Sequence, residues 1–431
     1  MTPALRRVWW LLGAATLAVT LWFIWSGRVR DEPVPVSAAT AAPAAGRPEV
    51  SVLSVSESNG LPLVAAHGSD EIELCGGLWV KAKPDGSVDD VDLARVTHLP
   101  EARARLIDDL RADTSEFARA AAVLLALAGS DYTRLATGDA AVSCSGAECE
   151  ANRQAVARIA DGRDTLARMA TTTNDPRVYA LAFNTCGRAP SADGACQLLN
   201  AEQWARLDPG NAAPWLFVLT QAVQSRDAEA QSEALFRISA STRSDQHFFA
   251  VPGLVIDHLP GDEASMPAVL TLASEAIGVE SAWSLPGYQV LSELCKTSAL
   301  RDANRHQICT AAAELLVEHS DTLLERSVGI GIGTRLGWSD DRITRLRGEQ
   351  AAYVDSLGAA TAQTPVDGCT GIRRDLATVN RHARLGEADA LRDWVAHSGK
   401  GAEDFIRAEH ESRAKAAAAA AAASSAASAP G

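Results

Sequence analysis

Cysteines are the side chains with the clearest chemical potential in this chain. There are eight of them, at positions Cys75, Cys144, Cys149, Cys186, Cys196, Cys295, Cys309 and Cys369. Six form three pairs that are close in sequence, and an even set of locally paired cysteines is typical of disulfides made in an oxidising compartment. The alternative interpretation is a set of buried reduced thiols. Zinc is disfavoured because the sequence has no C-x2-C pair and no closely spaced Cys/His cluster.

Cys144 and Cys149 could in principle form a redox-active pair. They enclose Ser-Gly-Ala-Glu, whereas thiol-disulfide exchange catalysts usually place C-x-x-C at a helix N-terminus, which favours the thiolate. Glu148 lies beside the second cysteine and disfavours a thiolate. We therefore expect a small structural loop closed by a disulfide.

A glycine-rich run at 329–337 has the composition of a phosphate-binding loop. It follows a helical pattern, however, and it lacks both a preceding strand and the G-x-G-x-x-G spacing. Gly329, Gly333 and Gly337 are four residues apart, so on a helix they form one smooth stripe. The spacing predicts close contact between helices.

Acidic and histidine residues offer no recognisable metal or catalytic motif. The aspartates Asp85, Asp89, Asp90 and Asp92 do not follow the calcium-loop order and predict a solvated acidic turn. The nine histidines are scattered, and His319 is predicted to be a buried core residue. H-E-x-x-H, G-x-S-x-G and P-loop patterns are absent from the sequence. The sequence therefore predicts no catalytic residue, cofactor or metal ligand.

The N-terminal residues predict one membrane-spanning helix. Val8 to Trp25 are eighteen uncharged, mostly apolar residues with tryptophans at both ends, which is the length and flank chemistry of a bilayer span. A cleaved signal peptide is the competing interpretation, but no small-x-small site follows the run closely. Arginines flank both sides equally, so the expected disulfides decide the orientation. In a bacterium, the C-terminal domain would then be periplasmic and the anchor would lie in the inner membrane.

Composition favours a helical protein that does not bind nucleic acid. The net charge is −14, whereas phosphate binding needs a basic face. Apolar residues make up 47% of the chain and aromatics only 5%, and this alanine-rich composition favours closely packed helices over sheets. The expected organisation is an anchor over 1–27, a Pro/Ala-rich tether over 28–48, an irregular segment with a possible short hairpin over 49–99, a helical domain over 100–410 and an Ala/Ser-rich disordered tail over 411–431.

Local start and stop signals support an all-α domain after residue 100. Asp175-Pro176 predicts a helix start, and Gly187 predicts the end of that helix. Pro267 opens another helical pattern, which Gly278 is expected to stop. No alternation of strands and helices appears, so a parallel sheet is not expected.

The segment from Leu207 to Ile238 carries a family resemblance. Asn211 provides a cap, Trp215 follows four residues later, Asp227 follows after twelve more, and small or apolar residues then occur at Ala230, Ala234 and Leu235. These features resemble a tetratricopeptide helix pair, in which small residues let the two helices approach. The resemblance covers about 30 of 431 residues. It implies a degenerate array of helix hairpins, because no 34-residue period continues around it.

The local cysteine pairs fall at predicted corners between helices. Cys186 and Cys196 flank one corner, and Cys295 and Cys309 flank another. Each bridge would stabilise the fold by roughly 2–3 kcal/mol through the closure of a short loop. Elimination leaves Cys75 and Cys369, and a bond between them requires the two ends of the array to meet.

These expectations define two functional hypotheses. The first is a membrane-anchored extracytoplasmic helical-repeat protein that binds a protein partner in the envelope, as a scaffold or assembly factor. The alternative is an envelope enzyme, a glycan-directed hydrolase or lyase, whose catalytic carboxylates come from distant parts of the chain.

Overall fold

A computed structural model describes residues 71–76, 78–81, 96, 98–128, 147–187, 194–262, 264–362, 368–411 and 414. The predicted anchor, the tether, the acidic turn at 85–92 and most of the C-terminal tail lie outside these residues. Within them, the chain is mostly helical, as the composition predicted. No helix among the described residues has the length and apolar character needed to cross a bilayer.

One β-hairpin precedes a long series of helices. The strands are β1 (Glu71–Cys75) and β2 (Leu78–Lys81). Among the described residues, the first seven α-helices are α1 (Leu99–Ala112), α2 (Glu116–Ala128), α3 (Ala147–Thr172), α4 (Pro176–Cys186), α5 (Ala201–Leu207), α6 (Ala213–Ser225) and α7 (Ala228–Ala240). The next seven are α8 (Ala250–His258), α9 (Met266–Glu280), α10 (Tyr288–Leu294), α11 (Ala303–Glu318), α12 (Leu323–Arg335), α13 (Asp340–Ala362) and α14 (Gly368–Ser398). A final helical segment, α15, covers 402–411.

Side-chain caps explain several of the helix starts. Asp175 accepts a hydrogen bond from the Arg177 backbone N–H at the start of α4, and Gly187 follows the last residue of that helix. Asp227 caps α7 in the same way. Such caps satisfy backbone donors that have no partner inside the helix. The start at Asp175-Pro176 and the end at Gly187 are therefore confirmed.

The predicted end of α9 at Gly278 was wrong. The helix continues for one more half-turn to Glu280. Val279 and Glu280 are both buried, so tertiary packing keeps the backbone helical beyond a residue that only weakly disfavours helix.

Two hydrophobic cores organise the helices. The first core is formed mainly by α1 to α4 together with α8 and α9. The second core is formed by α6, α7 and α10 to α12. The chain passes from the first core to the second and back twice, so each core combines helices that are distant in sequence.

Helices that follow one another in the chain generally pack together, and the series closes on itself. Helices α6 and α7 form the hairpin expected from the repeat-like segment, with α5 and α10 against α6 and α11 against α7. Further along, α13 packs on α14, α14 contacts α8 and α9, and α9 contacts α1 and α2. The two ends of the helical array therefore meet.

A disulfide lies where the two ends of the helical array meet. Strands β1 and β2 pair antiparallel with a register shift between Glu73 and Cys75, within the segment where a short hairpin was expected. Cys75 is bonded to Cys369 at the start of α14, with their Cα atoms 5.0 Å apart. Leu78 and Ile372 contribute to a small apolar cluster beside this bond.

The other two described disulfides join local elements, as the sequence indicated. Cys186 is bonded to Cys196 and Cys295 to Cys309, with Cα–Cα distances of 5.5 and 5.7 Å. Each bond ties the end of one helix to the element that follows. The expected Cys144–Cys149 loop lies outside the described residues.

The glycine run forms a helix, as predicted, but only part of the predicted stripe exists. A Cβ atom at Gly329 would lie 2.8 Å from Val317 Cγ2 of α11, and one at Gly333 would lie 2.2 Å from the Trp338 ring. Gly337 lies beyond the end of α12 with φ of 79°. Its predicted place on the stripe was wrong, because it provides the left-handed turn after the helix instead.

Two alanine substitutions in α12 are expected to have opposite effects. Gly329→Ala should lower the free energy of unfolding by about 1–3 kcal/mol, because its methyl group would overlap α11. Gly331→Ala is the matched control, since its Cβ would meet no atom within 4 Å. It should raise stability by about 0.5–1 kcal/mol through helix propensity. Chemical denaturation measures both values, and equal destabilisation would contradict this account of the contact.

Candidate functional site: a carboxyl cluster around a crossing segment

Residues 241–249, here called the crossing segment, connect α7 in the second core with α8 in the first. Asn211 and Arg243 form a parallel backbone bridge on one side of the segment, and Ser244 and Ser320 form another on the other side. The Ser244 N–H donates to the His319 carbonyl at 2.8 Å, and the Asp321 N–H donates to the Ser244 carbonyl at 3.0 Å. The segment is therefore held like a short central strand between two neighbouring loops.

A buried asparagine fixes the first side of the segment. The Asn211 amide donates to the Asp245 carbonyl at 2.7 Å and to the Asp208 carboxylate at 2.9 Å, and its oxygen accepts the Asp245 N–H at 2.9 Å. Asp208 also forms an ion pair with Arg243. Asn211 was predicted as a helix cap, and its side chain does accept the Ala213 N–H at 3.0 Å.

Glu325 is the centre of the hydrogen-bond network on the second side. Its Oε1 accepts from Tyr288 Oη at 2.8 Å, from Ser244 Oγ at 2.9 Å and from Gln246 Nε2 at 3.2 Å. Gln246 also donates to the Tyr288 hydroxyl. The residue has no exposed surface, and its Oε2 atom has no hydrogen-bond partner. All of the donors thus meet one oxygen of a fully buried carboxyl.

Asp321 and Asp245 form a carboxyl pair next to Glu325. Asp321 Oδ2 accepts the Gln246 N–H at 2.9 Å, which places this carboxyl next to Asp245. The other Asp321 oxygen, Oδ1, is buried and accepts no N–H or O–H from the described residues. Asp245 Oδ1 lies 3.2 Å from His247 Nδ1 and accepts the His247 N–H at 2.7 Å. Two carboxyl groups can share a hydrogen bond only when one of them carries a proton.

Two further buried carboxyls hold the ends of the adjoining elements. Glu280 of α9 accepts the N–H groups of Phe249 and Val251 at 2.7 and 3.1 Å, at the start of α8. Glu387 of α14 accepts the Leu323 N–H at 2.9 Å, at the start of α12. These carboxyls satisfy backbone donors at helix N-termini that would otherwise be unpaired.

Burial raises the pKa of four carboxyls in this cluster, whereas the pKa of Asp245 is lowered. Desolvation raises the pKa of Glu325 and of Glu387 to about 7, and that of Glu280 to about 8, although hydrogen bonds oppose the shift. Burial, and then the charges of Asp245 and Glu325, hold the pKa of Asp321 well above its ordinary value. Burial alone would raise the pKa of Asp245, but the hydrogen bond and charge of His247 outweigh it and lower that pKa. Asp245 is therefore the ionised member of the pair.

The crossing segment also contains unusual backbone conformations. His247 and Phe249 have φ of 60° and 65°, in the left-handed region that non-glycine residues rarely occupy. Such conformations persist only when the surrounding contacts impose them. Here, bonds from Asp245, Asp321 and Glu280 impose them.

Proton uptake and release is the chemistry that this arrangement supports best. Among the described residues, no group of three or more His, Cys, Asp or Glu side chains could hold a metal ion. Glycoside hydrolysis needs two carboxyls about 5–9.5 Å apart on either side of the substrate. Asp321 is instead occupied by the backbone N–H groups of Gln246 and Phe248, and Glu325 is inaccessible to solvent.

The structure places the six described cysteines in disulfides outside the crossing segment. Cys75 and Cys369 lie at the hairpin, whereas Cys295 and Cys309 belong to the second core, which also contains Tyr288. His319 was predicted to be buried, which was wrong. It is exposed, because α11 ends at Glu318 and the His319 backbone leaves the helical conformation, with φ of −134° and ψ of 26°. Its carbonyl accepts the Ser244 N–H of the crossing segment.

No protein-family model, curated protein or solved structure matches this chain.

Proposed function

We propose that this protein is a membrane-anchored, extracytoplasmic helical-repeat protein that binds a protein partner as a scaffold or assembly factor in the bacterial envelope. The observation that carries the proposal is a helix-hairpin array held by disulfides at three places. Disulfides of this kind persist in oxidising compartments. The apolar run over 8–25 supplies the inner-membrane anchor and leaves the array on the periplasmic side.

The tetratricopeptide resemblance supports a binding role. Helices α6 and α7 pack as a hairpin and are joined by only two residues, Arg226 and Asp227. Hairpin arrays expose extended surfaces that proteins of this architecture use for binding. On α7, Phe236 exposes 55% of its surface, and Leu198 before α5 exposes 64%. We propose these two exposed apolar side chains as contact positions for the partner.

The alternative of a glycan-directed enzyme has less support from the described residues. It would need two solvent-accessible carboxyls separated by a substrate. The carboxyls that the fold brings together are instead engaged with backbone and side-chain donors of the crossing segment.

Site-specific photocrosslinking in the native membrane tests the proposal. A photoreactive residue at Phe236 or Leu198 should give a discrete adduct with the same envelope protein, identified by mass spectrometry. The control is the same residue at Arg301, an exposed position in the turn before α11, which should give no such adduct. A purified ectodomain that turns over an envelope glycan, with loss of turnover on a single carboxyl substitution, would favour the enzyme instead.

A further inference from the structure

We propose that the crossing segment is a proton-dependent latch between the two cores. One proton shared by Asp245 and Asp321, and a second on Glu325, hold the latch closed, and loss of these protons releases it. The ligand of this site is therefore the proton itself. The proposal concerns regulation of the fold and does not depend on which partner the array binds.

The first proton is required by the contact between two carboxyls. Asp321 Oδ1 is buried without a donor among the described residues and lies next to the Asp245 carboxyl, and two ionised carboxylates placed so close would repel each other. Asp321 simultaneously accepts the backbone N–H groups of Gln246 and Phe248 at 2.9 and 3.4 Å. A protonated Asp321 can keep these bonds and donate to Asp245. The bond that joins α12 to the crossing segment thus contains a titratable proton.

The second proton follows from the surroundings of Glu325. The residue is completely buried, and its Oε2 has no partner. The groups that donate to its other oxygen, on Tyr288, Ser244 and Gln246, are all neutral. Burying an ionised carboxylate without a neighbouring cation costs a large free energy of desolvation, so such a group takes up a proton instead. The neutral form of Glu325 is the one that this site accommodates.

The charges facing the cluster do not compensate for ionisation. From the segment itself, Arg243 is paired with Asp208, and His247 lies against Asp245 and Asp208. The remaining titratable neighbours are Tyr288 of α10, Asp175 before α4, Glu280 of α9, and His382 and Glu387 of α14. Burial lowers the pKa of His382 to about 4, so it carries no charge at neutral pH. Apart from Arg243, His247 and His382, all are acids, and the Asp175 carboxylate is itself paired with Arg177. Loss of the two protons therefore adds negative charge to an already acidic centre.

Release follows because the same carboxyls hold a strained segment. His247 and Phe249 have positive φ values, which cost free energy unless the neighbouring bonds compensate. Ionisation of Asp321 opposes its contact with Asp245. Ionisation of Glu325 places an unpaired charge in a fully buried site, which draws water toward it. The expected open state has residues 244–251 detached from 319–325 while each core stays folded.

Hydrogen exchange on the full-length oxidised protein tests the latch. Between pH 5.5 and 8.5, after correction for the intrinsic rate, protection of amides in 244–251 and 321–326 should fall at least tenfold. Amides in the middle of α2, whose residues are buried in the first core, should keep their protection. Protection of both segments that does not change with pH would overturn the proposal.

Neutral variants separate titration of these carboxyls from a general effect of pH. Glu325→Gln keeps the acceptor oxygen, and Asp321→Asn keeps an acceptor and adds a donor toward Asp245, so both should remain protected at pH 8.5. Glu233→Gln is the matched control, because it removes an exposed carboxyl paired with Arg237 and should behave as the unmodified chain does. If Asp321→Asn does not fold, Glu325→Gln decides alone. Loss of protection at pH 8.5 in Glu325→Gln that equals the loss in the unmodified chain would contradict the latch.

Discussion

Removing the Cys75–Cys369 bond is expected to lower the free energy of unfolding by about 5 kcal/mol. This is the largest effect expected among the three disulfides of the described residues. The two cysteines are separated by 294 residues. Cross-linking residues so far apart restricts the unfolded chain much more than closing a short loop does. The double substitution Cys75→Ser/Cys369→Ser avoids leaving one unpaired thiol. Chemical denaturation under non-reducing conditions gives the difference in stability.

The Cys186–Cys196 bond provides the matched comparison. Its sequence separation is 10, for which loop closure predicts a loss of roughly 2–3 kcal/mol. The double serine variant at these positions should therefore be about half as destabilised as the Cys75/Cys369 variant. Similar losses for the two variants would show that closure of the array through Cys75 contributes little, and would contradict the closed arrangement.

Glu325→Ala is expected to lower the free energy of unfolding by about 4 kcal/mol, because it removes the acceptor that three buried polar groups share. These are the Tyr288 hydroxyl, the Ser244 hydroxyl and the Gln246 amide. Glu325→Gln is the control, since it keeps one acceptor oxygen at the same place and replaces only the oxygen that has no partner. At pH 6 it should stay within about 1 kcal/mol of the unmodified protein. Equal losses in the two variants would contradict the network centred on Oε1.

The same pair of proteins should differ in pH dependence. The pKa of Glu325 is raised by burial from its ordinary value of 4.5 to about 7 in the folded state. Its stabilising contribution is therefore fully present below about pH 4.5 and is lost as the pH rises through 7. Between pH 5 and 9 this group alone should lower the stability of the unmodified protein by roughly 3 kcal/mol. Glu325→Gln should lose that much less, as denaturation at each pH would show.

Local signals explain why much of the helical scaffold could be predicted from the sequence. Asp175-Pro176 and Asp227 begin helices because their side chains bond to nearby backbone N–H groups. The hairpin after Leu207 was visible because its small residues and turn are contiguous. The corners at Cys186 and Cys295 needed only the spacing to the next cysteine. In each case, the residues that determine the structure lie within about one hairpin of each other.

The carboxyl cluster could not be predicted because its members are far apart in sequence. Asp245, Glu280, Asp321, Glu325 and Glu387 come together around the crossing segment only after the chain has passed between the two cores twice. No short sequence motif predicts contacts between residues so far apart in the chain. Tertiary structure also explains the two wrong predictions about Gly278 and His319. Helix α9 continues past Gly278 because Val279 and Glu280 are buried, and His319 is exposed because α11 ends just before it.

Peptide mapping of the native protein without reduction tests the central claim most directly. Thiols should first be alkylated in intact membranes, and the digest should then be analysed by mass spectrometry. An oxidised, extracytoplasmic array predicts a cross-linked peptide that joins Cys75 to Cys369, together with the Cys186–Cys196 and Cys295–Cys309 links. Recovery of these six cysteines as alkylated free thiols would contradict both the compartment and the closure of the array.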